Sequence, residues 1–248
     1  MKKFIQGTVL HKRHLKKIAT TSILFVFAIL LFNCNDDKDI DNGYNVLVDA
    51  TSMATPNGGK LNPAQSGPER SALGVPKIDL KTFQLELTGL IDSSFILTWD
   101  EILAFPETFS DTILMYCVEG WEVWGNWKGI LIKDLLEKAH VQPEGNHILF
   151  ECDEGYTTAL PISYLVKYNA LLAYQVNDAP LPEHDGFPLR LIAFGKFGYK
   201  WAKWVKKLEI MDMSQIGFWE RQGYTDKADV PIRRRSYYEG DNVKPLEY

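Results

Sequence analysis

From residue 75 onward no uninterrupted apolar run in this chain is longer than an ordinary strand, and glycine, proline or charged residues end each one. That punctuation excludes long helices and predicts short strands joined by short helices and long loops. FQLELTGLI (83–91) alternates apolar and polar residues as a half-buried strand does. DTILMYCV (111–118) reads as a buried strand ending at Cys117, and NHILFEC (146–152) as another ending at Cys152. FPLRLIAF (187–194) and VKKLEIMD (205–212) are further strands. TWDEILAF (98–105) predicts a short helix with Thr98 at its cap. GILIKDLLEKAH (129–140) places Ile132, Leu135, Leu136 and Ala139 on one helical face. PISYLVKYNALLAYQVN starts as a helix at Pro161 and passes into a strand around Leu171. The segment after Ser214 shows no period and there is no internal repeat. The expectation is one α+β domain, strand-heavy, with mixed sheets and short helices.

The first seventy-odd residues read differently. Lys2, Lys3, Lys12, Arg13, Lys16 and Lys17 precede the apolar run ILFVFAILLF (23–32), which is short for a membrane span and has the layout of a secretory signal. Cys34 follows, then NDDKDIDN. A cysteine at this junction, with Leu31 upstream, points to lipidation at Cys34; Asn33 departs from the small residue expected there, and an uncut signal anchor is the alternative. The expected organisation is a lipoprotein-type signal over 1–33, a tether over 34–74 rich in Asn, Gly, Pro and Ser, a domain over 75–229 and a tail over 230–248. The chain would then be lipid-anchored to a bacterial membrane in the cell envelope, on the periplasmic or outer-surface side. Its net charge is −5, and removal of residues 1–33 takes away six cations and no anion, giving −11. That balance argues against a nucleic-acid partner.

Two regions carry residues suited to chemistry. MYCVEGWEVWGNWKG (115–129) sets Cys117 beside Trp121, Trp124 and Trp127. A thiolate at a strand end suits a soft or redox metal, and Gly120, Gly125 and Gly129 would let backbone approach a bulky ligand. In an oxidising compartment, a Cys117–Cys152 disulfide is the competing reading. Downstream, Arg190 sits inside an apolar strand, costly without an anion partner. Lys196, Lys200 and Lys203 follow, interleaved with Gly195, Gly198 and Trp201, a pattern suited to a phosphate group.

Together these segments resemble the sulfite oxidase family of molybdenum enzymes, the oxidoreductase molybdopterin-binding domain, from about Pro76 to Asp229. The resemblance rests on CVEGW followed by DLL, on LLAYQVNDAPLPEHDGFPLRLIAFGKFGYKWAKW, and on GFWERQGY, in that order. It implies that the cofactor is molybdenum-molybdopterin and that Cys117 binds the metal, which displaces the disulfide reading. Cys152 falls on a strand end that lines the cofactor in relatives. Arg190 and Lys203 match cationic positions that hold the pterin and its phosphate, with Lys200, Trp201 and Ala202 on the same loop. Asp185 stands where relatives have histidine or asparagine, and His184 is one residue early, so both remain candidates for the pterin contact. Tyr224 matches an active-site tyrosine near the metal.

Relatives that oxidise sulfite carry arginines just after the cysteine; here those positions read Glu119, Gly120, Trp121 and Glu122. CVEGW is instead close to the CVEAW of periplasmic methionine-sulfoxide reductase catalytic subunits. The implied activity is reduction of a small organic S-oxide or N-oxide in the cell envelope. Electrons would come from a separate partner such as a membrane haem or quinone protein. Sulfite oxidation, or a cofactor-free binding lipoprotein that keeps the fold, are the alternatives.

Overall fold

A computed structural model of the chain describes residues 69–106, 108–239 and 243–248. The expected signal segment, Cys34 and the tether up to residue 68 lie outside the described residues. Among the described residues, no helix is long and apolar enough to cross a membrane.

Among the described residues, ten strands form two sheets, one mixed and one antiparallel. The first runs β2 (Phe95–Thr98), β1 (Gln84–Gly89), β10 (Val205–Met211), β5 (His147–Cys152), β6 (Thr157–Pro161). Only the β1–β10 pair in it is parallel. The second, antiparallel throughout, runs β3 (Phe109–Tyr116), β4 (Glu122–Leu131), β7 (Leu171–Val176), β8 (Ala179–Pro180), with β9 (Arg190–Ile192) also paired to β7. Alternation buries Leu85 and Leu87 of β1, Ile148 and Phe150 of β5, and Leu208 and Ile210 of β10. They share one core with Trp127 and Ile130 of β4, Leu171 to Ala173 of β7 and Leu191 of β9. This is the α+β arrangement expected from the sequence.

The short helices follow from local chemistry. Helix α1 (Trp99–Leu103) has a capping box: the Glu101 amide donates to Thr98 Oγ1, and the Thr98 amide donates to the Glu101 carboxylate at 2.8 Å. Helix α2 (Ile132–Ala139) buries Ile132, Leu135, Leu136 and Ala139, the face its spacing predicts. Helix α3 (Ile162–Lys167) leads into β7. Helix α4 (Ile232–Glu239) lies in the segment where the sequence shows no apolar period, and its mostly polar composition explains why.

The tryptophan stretch is a correction to the sequence reading. It forms a ten-residue strand, β4, central in its sheet, which the sequence reading did not assign. Gly125 and Gly129 serve packing, not ligand approach. A Cβ on Gly129 would lie 1.9 Å from the Leu172 carbonyl oxygen of the neighbouring strand, and one on Gly125 would lie 2.6 Å from the Trp127 ring. Trp127 is fully buried, with its indole N–H donating to the Ile113 carbonyl at 3.2 Å. β3 stops at Tyr116, one residue before Cys117, and β9 begins at Arg190, so the sheets deliver both chemistry-bearing segments at strand ends.

Gly129→Ala is therefore expected to lower stability by about 3 kcal/mol or more, at or beyond the upper end of ordinary overpacking, because the obstacle is backbone. Gly120→Ala meets no atom within 4 Å but has a φ of +98°, so strain alone should cost about 1 kcal/mol. Chemical denaturation of both variants beside the unsubstituted chain measures the contrast.

Candidate active site

One cavity of about 210 Å³ is lined by Cys117, Met115, Asp185, Arg190, Trp201, Lys203 and Tyr224, among others. A water occupies roughly 30 Å³ of liquid, so this space suits a group of many atoms and not a lone ion. A smaller recess shares Trp201, Lys203 and Tyr199 with it and adds Ala202, Glu154 and Tyr156. The first and second motif segments, far apart in sequence, therefore meet in one place.

Cys117 is half-buried and is a free thiol, as is the fully buried Cys152. Burial, then the Glu119 carboxylate, push the Cys117 thiol up from its ordinary range, and burial does so strongly for Cys152. A bound metal cation reverses that balance, since a coordinating thiol is deprotonated. The turn carrying Cys117 is closed by its own amide donating to the Trp121 carbonyl at 2.9 Å and by the Gly120 amide donating to the Cys117 carbonyl at 3.2 Å.

Arg190 is 4% exposed. Its guanidinium lies 5.3 Å from the Trp127 ring centre and 6.0 Å from that of Trp201. It donates to the Asp185 carbonyl at 3.1 Å and to Met115 Sδ at 2.9 Å, while the nearest Asp185 carboxylate oxygen is 3.7 Å away. Arg190 Nε and Asp185 Oδ2 are both buried without a hydrogen-bond partner. Burial lowers the arginine pKa and raises that of Asp185, opposed in each case by the other's charge. Lys203 donates to the His184 carbonyl at 2.9 Å. Its pKa is pulled down to about 8, by burial first and by Arg190 second. Two neighbouring cations, one with an N–H free of any hydrogen-bond partner, fit the phosphate of a pterin cofactor.

The remaining sequence candidates fall in different places. Trp201 is buried, with its indole N–H on the Lys196 carbonyl at 3.1 Å, and Ala202 accepts from the Leu191 amide at 2.8 Å. His184 is 45% exposed at its side chain and lies outside the cavity lining; Asp185 lines it. Cys152 lines neither recess. Lys200 is fully buried and turned to other work: it is paired with Glu220 and with Asp226 at 2.9 Å, and donates to the Ala159 carbonyl at 3.0 Å. It thereby fastens the segment that carries Tyr224. Tyr224 packs edge-on to Tyr199 and tilted against Trp219, each with ring centres 5.2 Å apart.

The structure adds lining residues that sequence reasoning passed over. Arg70, Ser71 and Ala72, from the stretch read as tether, form one side of the cavity. Arg70 Nε donates to Glu119 at 2.8 Å, and the same carboxylate accepts the Trp121 indole N–H at 2.9 Å. Tyr199 and Trp219 also line the cavity; both lie inside quoted motifs, so their neighbours were the available signal. Glu154 faces the smaller recess, with Oε2 unpartnered and its pKa raised to about 7 by burial.

Lys203 gives a pH prediction for the cofactor-free chain. Its folded pKa, about 8, lies below the ordinary lysine value of 10.5, so the folded state binds fewer protons between those values. Its contribution is fully present above about 10.5 and is lost as pH falls through 8. Lys203→Met should therefore be the more stable protein at pH 7, and the difference from the unsubstituted chain should shrink as pH rises from about 8 to 10.5. Denaturation midpoints across that range test this; a pH-independent difference would refute it.

Comparison with known proteins agrees with this geometry. The family described as the oxidoreductase molybdopterin binding domain matches residues 72–219. The chain is 35% identical over 152 residues to the uncharacterized oxidoreductase YuiH of Bacillus subtilis, covering 61% of this chain and 76% of that protein. It is 30% identical to the putative protein-methionine-sulfoxide reductase subunit YedZ1 of Azospira oryzae, covering 60% and 57%. With the mitochondrial sulfite oxidase of Drosophila melanogaster it shares 29% identity, over 62% of this chain and 32% of that one. It thus spans about half or less of several relatives. The crystal structure of the sulfane dehydrogenase SoxCD from Paracoccus pantotrophus has the same fold, with a TM-score of 0.59 at 23% identity over 66% of this chain and 46% of that one. With the family matched over residues 72–219, 66% of the chain in a matching fold and a cavity built from the matching motifs, the chain belongs to the oxidoreductase molybdopterin binding domain family, and its fold is of the sulfite oxidase type.

Proposed function

We propose that this protein is a molybdenum-dependent oxidoreductase of the cell envelope that removes oxygen from a neutral organic S-oxide or N-oxide. Cys117 would hold the metal through its sulfur, and Arg190 and Lys203 would hold the pterin phosphate, with Asp185, Trp201 and Ala202 around it. When bound, the molybdenum-pterin group supplies two-electron redox chemistry. The chain's own residues do the rest. Trp121, Tyr199, Trp219 and Tyr224 present aromatic surface for apolar substituents of the substrate. Tyr224 lines the cavity, and its hydroxyl would hold the substrate oxygen by hydrogen bonding. Reduction of the oxide to sulfide or amine consumes two electrons and two protons and releases water.

The observation that carries the substrate class is the charge around Cys117. The sequence suggested two uncompensated carboxylates after the cysteine; the structure pairs both. Glu119 is bound by Arg70 and Glu122 by Arg234, each at 2.9 Å or less. The repulsion of a dianion is therefore smaller than the sequence suggested, but net attraction is also lacking. Arg190 and Lys203 are assigned to the cofactor. A neutral oxide needs neither, and relatives named as methionine-sulfoxide reductase subunits support the same choice. Their naming as subunits supports a separate electron donor, such as a membrane haem or quinone protein. Residues 1–34 support attachment to the membrane through Cys34.

The decisive experiment is steady-state turnover of the molybdenum-loaded protein. One arm uses an artificial electron donor with a panel of sulfoxides and N-oxides, the other sulfite with an electron acceptor. Oxide reduction should exceed sulfite oxidation, and Cys117→Ser should lose both activity and most bound molybdenum while Cys152→Ser loses much less. Sulfite oxidation alone would overturn the substrate class. Full metal content in Cys117→Ser would overturn the ligand assignment, and a purified chain that takes up no molybdenum would favour a binding lipoprotein.

A further inference from the structure

We infer that Arg234, beyond the family-matched residues, is the positioning residue that sets the geometry of the Cys117 turn. The inference rests on the reading of Cys117 as the metal ligand. Arg234 sits in the first turn of α4, in the segment with no apolar period. One of its terminal nitrogens donates to the Cys117 carbonyl at 3.1 Å, and the other to the Trp121 carbonyl at 3.4 Å and to Glu122 Oε2 at 2.9 Å. The guanidinium also lies over Tyr116, 5.5 Å from its ring centre, and 6.0 Å from that of Phe197. Tyr116 is the last residue of β3, Cys117 the first of the turn, and Trp121 its last.

The geometry makes this a clamp and not a surface ion pair. A planar fork donates to both ends of one five-residue turn and to the residue that starts the next strand. The Cys117 carbonyl receives two bonds, from the Gly120 amide inside the turn and from Arg234 outside it. The Cys117 peptide plane is held on both sides, which restricts where its Cβ and sulfur point. The ion pair beneath is only about a quarter exposed on each side, so it is better shielded than a surface pair. Lysine presents a point charge and cannot reproduce the fork. The helix that supplies Arg234 is itself tied down: Val230 donates to the Gly195 carbonyl at 2.8 Å, and Arg235, 2% exposed, bonds the Lys244 carbonyl. Arg234 is not among the residues lining the cavity, so its effect on the site runs through the turn.

Hydrogen exchange of the unloaded full chain tests the clamp, read in a peptide covering residues 115–122. Arg234→Ala should reduce protection of the Cys117 and Gly120 amides by about tenfold or more. Arg234→Lys and Glu122→Gln should fall between it and the unsubstituted chain, while a peptide covering 147–152 stays unchanged. Unchanged exchange in 115–122 overturns the inference. If Arg234→Ala fails to fold, the lysine and glutamine variants carry the same test. In loaded protein at matched metal content, the electron paramagnetic resonance signature of pentavalent molybdenum should shift in Arg234→Lys; an identical spectrum overturns the positioning role. Full molybdenum in Cys117→Ser refutes the metal reading and the ligand-positioning role with it. Loss of metal in that variant alongside unchanged exchange in Arg234→Ala refutes the clamp alone.

Discussion

Burying the Arg190 guanidinium is the constraint on which the site depends. The effective penalty for taking such a charge out of water is several kcal/mol. The protein offers it one backbone carbonyl, one thioether sulfur, two indole faces and a carboxylate at 3.7 Å, and leaves Nε unpartnered. Each of those supports has its own structural demand. Trp127 reaches the guanidinium only because Gly125 leaves room for its ring on the same strand. Trp201 is held by the Lys196 carbonyl, and Met115 by the last turns of β3 pairing with β4. An arginine so placed has packing but incomplete compensation, and Lys203 beside it raises the demand for an anion.

The other cations of the same loop do the opposite. Lys200 is compensated by Glu220 and Asp226, and Lys196 by Asp229 at 2.5 Å, the Lys227 carbonyl and the Tyr248 hydroxyl. Lys196 also lies 4.6 Å from the Tyr164 ring centre and 4.2 Å from that of Tyr248. These buried pairs tie the segment after β10 to the body of the fold. In GKFGYKWAKW, then, two lysines hold chain and one faces the cavity. The difference is set by the short helical turn Gly198–Lys200, which directs Lys200 inward while Lys203 falls beyond it. Spacing along the sequence suggested one phosphate-binding set of three; the turn divides it.

The strands that were legible in the sequence share a cause. β1, β3, β5 and β10 carry dense apolar side chains on at least one face, and α2 has its buried positions at helical spacing. β4 was not legible because its pattern is broken by glycine at Gly125 and Gly129, which in isolation read as flexibility. Only the neighbours Leu172 and Trp127 show that those positions have no room for a Cβ. Helix α4 was hidden for a different reason: arginines at 233 to 235 carry no apolar period, and the helix is held by polar contacts. In the site, Cys117, Arg190 and Lys203 could be singled out because their chemistry is unusual for their local surroundings. Arg70 and Arg234 could not, because each acts on a partner 49 or more residues away. An arginine in a polar stretch has no local signature.

Those two arginines also explain why the local charge of the turn misleads. CVEGWE contains two glutamates and no cation, so a reading confined to the motif makes the neighbourhood of Cys117 negative. The fold brings one arginine from before the domain's first strand and one from after its last, and each meets one glutamate. The two pairs differ physically. Arg70 and Glu119 are 56% and 45% exposed, where solvent screens an ion pair, so this contact adds little to stability. What it does instead is orient: Glu119 holds the Trp121 indole with one oxygen while meeting Arg70, and so fixes an aromatic wall of the cavity. Arg234 and Glu122 are shielded and joined to backbone carbonyls, so that pair fixes the turn itself. Charge around Cys117 is thus cancelled by contacts whose main products are the placement of one indole and one peptide plane. A site arranged this way would select by shape and apolar contact, with electrostatic force left to Arg190 and Lys203, the pair proposed to hold the cofactor.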